Sequence, residues 1–248
     1  MQRRRGRHIL RWALWGLVAV IVLTIGATLA WTQIGVMPAE NGPLTDAHGN
    51  PEITITDAPE GIVLAPVDGD SETGLVFIPG AKVDPWAYVA ALQGVAENGT
   101  TVVITRPWLN LAFFDPRGMD AFTSAVPDIG TWAVGGHSLG GVRACQLAAD
   151  ADALVLFASY CSDDISGSAL PVLSLAGSED GLSTPTKIAE ARHLLPAEAE
   201  LLEIDGASHA SFGDYGPQDG DGTPTITNEK TRATVTERVS SFLHGRAL

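Results

Sequence analysis

Basic residues are scarce in this chain and unevenly placed. Of its 248 residues, 15 are Lys or Arg and 29 are Asp or Glu; Arg3, Arg4, Arg5, Arg7 and Arg11 take five of the 15 within the first 11 positions. The remainder holds ten basic residues against 29 acidic ones, a balance of −19. Such a surface repels phosphate backbones, so a nucleic-acid partner is not expected. Charge of either sign is missing from Trp12 to Trp31, a run about the 20 residues that cross a bilayer as a helix. With the arginines before it, the positive-inside rule keeps the N-terminus cytoplasmic and exports the rest. The expected layout is a basic flank (1–11), a signal anchor (12–37), a linker (38–52) and a domain (53–248). A signal peptide cut near Thr28-Leu29-Ala30, giving a secreted protein, is the alternative.

Only two cysteines occur, Cys145 and Cys161. Both fall in the exported part, where they can pair as a disulfide; two separate buried thiols are the other reading. Internal repeats and low-complexity tracts are lacking.

The segment "PAENGPLTDAHGNPE", Pro38 to Glu52, is polar and rich in turn residues and reads as a tether. Beyond it, apolar β-branched runs alternate with helical patterns. Strands are expected at 53–56, 62–65, 75–79, 101–105, 131–135, 153–159, 172–176 and 200–204. Trp86, Val89, Leu92 and Ala96 share one helical face, as do Ile188, Ala191 and Leu195; Val235, Val239, Phe242 and Leu243 mark a last helix ending at Gly245. The alternation predicts one α/β domain with a mainly parallel eight-stranded sheet covered by helices on both faces.

In such sheets, chemistry gathers beyond the carboxyl ends of the strands. Gly136-His137-Ser138-Leu139-Gly140 places a serine between glycines at a strand-to-helix turn, where a strained backbone lifts the hydroxyl above the sheet. Serine needs a base. His137 is adjacent, but neighbours at a tight turn diverge, so it is read as structural. His8, His48, His193 and His244 read as surface residues, which leaves His209, in the loop after the last strand, as the base. Asp180, ahead of Gly181 and preferred to Glu179, is the carboxylate that would orient it. The N–H groups of Leu139 and of Ala81, after Gly80, are expected to hold an oxyanion. Lys82 is a candidate substrate contact. Trp108, Leu111, Phe113 and Phe114, in the loop from Arg106 to Gly118, could line an acyl pocket or merely pin that loop to the core. The acids Asp214, Asp219 and Asp221 miss calcium-loop spacing and read as a solvent loop.

The order Ser138, Asp180, His209, each after its own strand, resembles the α/β-hydrolase fold family. The motifs "FIPGAKVDPWAY", "NLAFFD", "GGHSLGG", "GSEDG" and "HASFGDYG" look more closely like small bacterial serine hydrolases near the dienelactone-hydrolase branch. Serine stands where dienelactone hydrolases carry cysteine, so their lactone substrate does not follow. The resemblance implies a serine esterase acting on a small-molecule or lipid-like ester, a thioester or a lactone, without cofactor or metal. Tyr160 to Leu170 leaves no room for a cap domain. A non-catalytic envelope-binding domain on the same fold is the rival reading.

Overall fold

The computed structural model describes residues 2–67 and 71–245, with side chains from Arg11 onward. The side chains of Arg3, Arg4, Arg5, Arg7 and His8 lie outside the described residues.

Helix α1 (Gln2–Gln33) contains a span from Arg11 to Gln33 that is long and apolar enough to cross a membrane, and its apolar window is unburied. The expected tether is not an extended linker. Asn41–His48 form helix α2, Ala47 is buried, and Met37, Ala39 and Leu44 pack against the core. Polar composition hid this, because a short segment needs only a few apolar contacts to dock.

Strands β1 (Ile53–Asp57), β2 (Gly61–Pro66), β3 (Thr73–Ile78), β4 (Thr100–Thr105), β5 (Thr131–His137), β6 (Ala153–Phe157), β7 (Val172–Gly177) and β8 (Glu200–Ile204) form one sheet in the order β1-β2-β4-β3-β5-β6-β7-β8. The β1/β2 and β2/β4 pairings are antiparallel and the others parallel. All eight expected strands are present.

The apolar runs fill both faces because successive side chains alternate between two cores. Leu75, Phe77, Val102, Ile104, Val155 and Phe157 join one core, with α3 (Val89–Glu97) and α7 (Asn228–His244) over it. Val76, Ile78, Val103, Val134, Leu154 and Leu156 join the other, against the short α4 (Met119–Thr123) and α5 (Leu139–Leu147). The helix marked by Ile188, Ala191 and Leu195 is shorter than that pattern: α6 (Pro185–Ala191) passes into a 3-10 turn at Arg192–Leu194. Cys145 on α5 and Cys161 after β6 are joined by a disulfide with a Cα–Cα distance of 5.6 Å. Residues 158–171, between β6 and β7, hold neither helix nor strand.

Candidate active site

The sequence-selected residues Ser138, Asp180 and His209 follow β5, β7 and β8 at the carboxyl edge of the sheet; among the described residues Asp180 and His209 bond to each other, and no hydrogen bond joins Ser138 Oγ to either. β5 runs to His137, two residues past the expected end, and Ser138 breaks it with φ 52° and ψ −123°. This left-handed backbone is costly for a residue with a side chain, and the surroundings hold it. The Ser138 N–H donates to the Phe157 carbonyl at 3.0 Å, while the Ser138 carbonyl accepts from Ser159 Oγ at 2.7 Å and from the Gly141 N–H at 3.0 Å. A Cβ on Gly136 would stand 2.7 Å from the Ile78 carbonyl oxygen, and one on Gly140 2.0 Å from the same atom. Those glycines therefore let α5 start directly against the end of β3.

That contact sets Leu139, the first residue of α5, beside the loop Pro79-Gly80-Ala81. Among the described residues, neither the Leu139 nor the Ala81 N–H has an acceptor. Unpaired amides at a helix start favour negative charge.

His209 and Asp180 meet with Nδ1 and Oδ2 2.8 Å apart, both almost wholly buried. The other carboxylate oxygen of Asp180 accepts the Leu182 and Ser183 N–H groups at 2.8 and 2.7 Å, so the acid is fully engaged and fixed. The exposed carboxylate of Glu179 instead accepts from Ser178 Oγ at 3.3 Å.

Both ring nitrogens of His137 are taken. Nε2 faces the His209 carbonyl at 3.1 Å and Nδ1 faces Tyr88 Oη at 2.9 Å. A carbonyl only accepts, so Nε2 carries the hydrogen and Nδ1 receives the Tyr88 hydroxyl proton. Tyr88 Oη in turn accepts the Gly80 N–H at 3.0 Å. Burial, and then the nearby His209 ring, press the His137 pKa well below the usual histidine value, outweighing its bond to the His209 backbone. Burial likewise raises the Tyr88 hydroxyl above the ordinary tyrosine range. Both shifts favour the uncharged forms of Tyr88 and His137, in a chain of hydrogen bonds that runs from the Gly80 N–H to the His209 backbone carbonyl. That chain ties the Ala81 loop to the histidine loop.

Other residues sit elsewhere than expected. The Lys82 ammonium donates to the carbonyls of Trp31, in the last turn of α1, and of Ile34, just beyond it, 3.0 and 3.2 Å away, where a cation suits the helix terminus. Trp108, Phe113 and Phe114 are 54%, 59% and 49% exposed, so they do not anchor their loop to the core. The acids read as a solvent loop are structural in two of three cases. Asp214 is buried against Arg232. Asp221 accepts the backbone N–H groups of Gly181, His209 and Gly222 on Oδ1 and of Ala210 on Oδ2, at 2.7 to 3.1 Å. It fastens the Asp180 loop to the His209 loop. Burial would raise its pKa, yet the bonds from Ala210, Gly181 and His209 hold it below the usual carboxylate value. Sequence spacing carried no signal for this role, because the partners lie 11, 12 and 40 positions away. A cleft lined by Glu40, Ser208, Ala210, Ser211, Asp221 and Gly222 among others lies beside the histidine loop and does not include Ser138.

A family model described as "Alpha/beta hydrolase family" matches residues 74–233. No curated protein matches the chain.

Proposed function

The chain belongs to the alpha/beta hydrolase family, and from that premise we propose that it is a serine hydrolase that cleaves a carboxylic ester through an acyl-enzyme. The observation that carries the reading is the buried Asp180–His209 pair at 2.8 Å, held at the same sheet edge as a serine in a left-handed turn flanked by two acceptor-less N–H groups.

In this reading Ser138 Oγ attacks the ester carbonyl carbon and its proton passes to His209 Nε2. Asp180 holds the Nδ1–H tautomer and stabilises the imidazolium. The carbonyl oxygen, now an anion, is met by the Ala81 and Leu139 N–H groups, each worth about 3 kcal/mol in such sites. Collapse expels the alcohol, which takes the proton from His209. A water activated by His209 then releases the acid and restores Ser138. Every step uses groups of the chain itself.

We assign residues 1–11 to a cytoplasmic flank, 12–37 to a retained membrane anchor and 53–248 to the hydrolase domain on the outer side, with 38–52 docked onto it. The likeness to the dienelactone-hydrolase branch rests on short motifs alone. A fluorophosphonate probe tests the activity. It should label the protein, and Ser138→Ala should abolish labelling, while His209→Gln lowers kcat on short p-nitrophenyl esters by about 10³-fold or more. No labelling, or labelling that survives Ser138→Ala, overturns the reading in favour of a binding domain.

A further inference from the structure

The domain is fastened to the end of α1. Besides capping the Trp31 and Ile34 carbonyls, the Lys82 ammonium sits 3.7 Å from the centre of the Trp31 ring. Asn110 Nδ2 donates to the Thr32 carbonyl at 3.3 Å, and Thr32 is fully buried. The Asn110 carbonyl accepts the Lys82 N–H at 2.8 Å. Met37 closes the clamp: its N–H donates to the Lys82 carbonyl at 2.7 Å and its carbonyl accepts the Asp84 N–H at 2.9 Å. The last turn of the span is therefore held by two loops of the catalytic edge. One carries Ala81 and the other carries Trp108, Phe113 and Phe114.

This clamp decides the level at which those loops stand. A tryptophan at the end of a span marks the membrane–water interface, and Lys82 lies on Trp31. Asn110 is bonded to the next residue, so its loop stands at the same depth. Among the described residues beyond α1 and Ile34, the large apolar side chains left exposed are Val67, Trp108, Phe113, Phe114 and Leu201; three of these five are on the Asn110 loop. Aromatic side chains half-bare in water are favoured at the headgroup level. Asp115, next along the loop after Phe114, is buried and paired with Arg117.

We propose that the sheet edge carrying Ser138 rests on the outer leaflet, with Trp108, Phe113 and Phe114 in its interfacial layer, and that the ester cleaved there belongs to a long-chain amphiphile resident in that leaflet. The substrate half rests on the serine-hydrolase reading and the whole on retention of α1. The amphiphile's ester is presented to Ser138 from the membrane side, its acyl group leaves as a carboxylic acid, and water supplies the oxygen and proton that balance the products.

The full chain in phosphatidylcholine nanodiscs tests both halves. With Cys145 and Cys161 bonded, Phe113→Cys supplies a unique thiol for an environment-sensitive fluorophore, and Leu201→Cys, near the amino end of β8, supplies a control. Nitroxide-bearing lipids should quench the label at 113 about twofold or more and leave that at 201 near its unquenched level, as interfacial insertion requires; equal quenching overturns the docking. For the substrate, 4-methylumbelliferyl oleate is incorporated in the same discs at a mole fraction below saturation. Turnover should hold steady through about tenfold dilution of the suspension, because enzyme and ester share one surface. A fall in step with dilution overturns the membrane route. Fluorophosphonate labelling of the same discs separates the two readings: its absence sinks hydrolysis, and with it the substrate half, while the quenching pair still decides docking.

Discussion

His137 stands next to Ser138 yet spends both ring nitrogens on Tyr88 and on the His209 carbonyl. It is held neutral with a depressed pKa, which makes it a source of acid instability. In the unfolded chain it takes up a proton below about pH 6.5, and the folded protein does not follow. The folded state then binds fewer protons, so stability is intact above that pH and falls on acidification by up to about 1.4 kcal/mol per unit until the depressed folded value is reached. Urea unfolding between pH 5 and 7 should show this slope, and His137→Gln should flatten it while keeping esterase activity within about tenfold of the parent. A loss as deep as that of His209→Gln would make His137 the base. Asp221 acts through position. Asp221→Asn keeps an acceptor at Oδ1 but sets an amide NH2 against the Ala210 N–H that Oδ2 accepted, and removes the charge that strengthened the other bonds, a cost of about 1–3 kcal/mol. It should lower kcat on p-nitrophenyl acetate more than it changes KM, since what shifts is the aim of His209.

At the scale of elements, the eight strands were legible because apolar β-branched runs between turn residues leave few alternatives. Ends and short helices were less so. β5 extends to His137 since the break comes from the Ser138 backbone, which nothing in the spacing locates to the residue. Helix α2 escaped notice because its support is tertiary, from Met37, Leu44 and Ala47 packing on the domain. The close meeting of α5 with β3 makes a direct test. Gly140→Ala would set a Cβ 2.0 Å from the Ile78 carbonyl oxygen, a backbone atom that cannot swing aside. The helix must then retreat, at a cost of about 1–3 kcal/mol typical of overpacking, and the Leu139 N–H retreats with it. Thermal unfolding should show the loss, and kcat should fall more than stability alone explains. Unchanged activity would separate Leu139 from the oxyanion.

For the whole molecule, the end of α1 is bonded to the domain through Lys82, Asn110 and Met37. With α1 retained, the mature mass should include residues 1–37, and a protease added to intact cells should remove a C-terminal tag while sparing an N-terminal one. A mature chain beginning near Trp31 would establish the signal-peptide alternative. Composition and order alone singled out the membrane-length run with its arginine flank, the alternating strands and helices, and the candidates Ser138, Asp180 and His209, because apolar periodicity and post-strand loops are local properties of a chain. Tertiary structure alone decided that Asp180 rather than Glu179 meets His209, that Cys145 bonds Cys161, that Asp221 joins two loops 40 positions apart, and that Lys82 holds the end of α1. Each depends on backbone segments distant in sequence arriving within hydrogen-bonding or covalent reach, a distance that no spacing along the chain encodes.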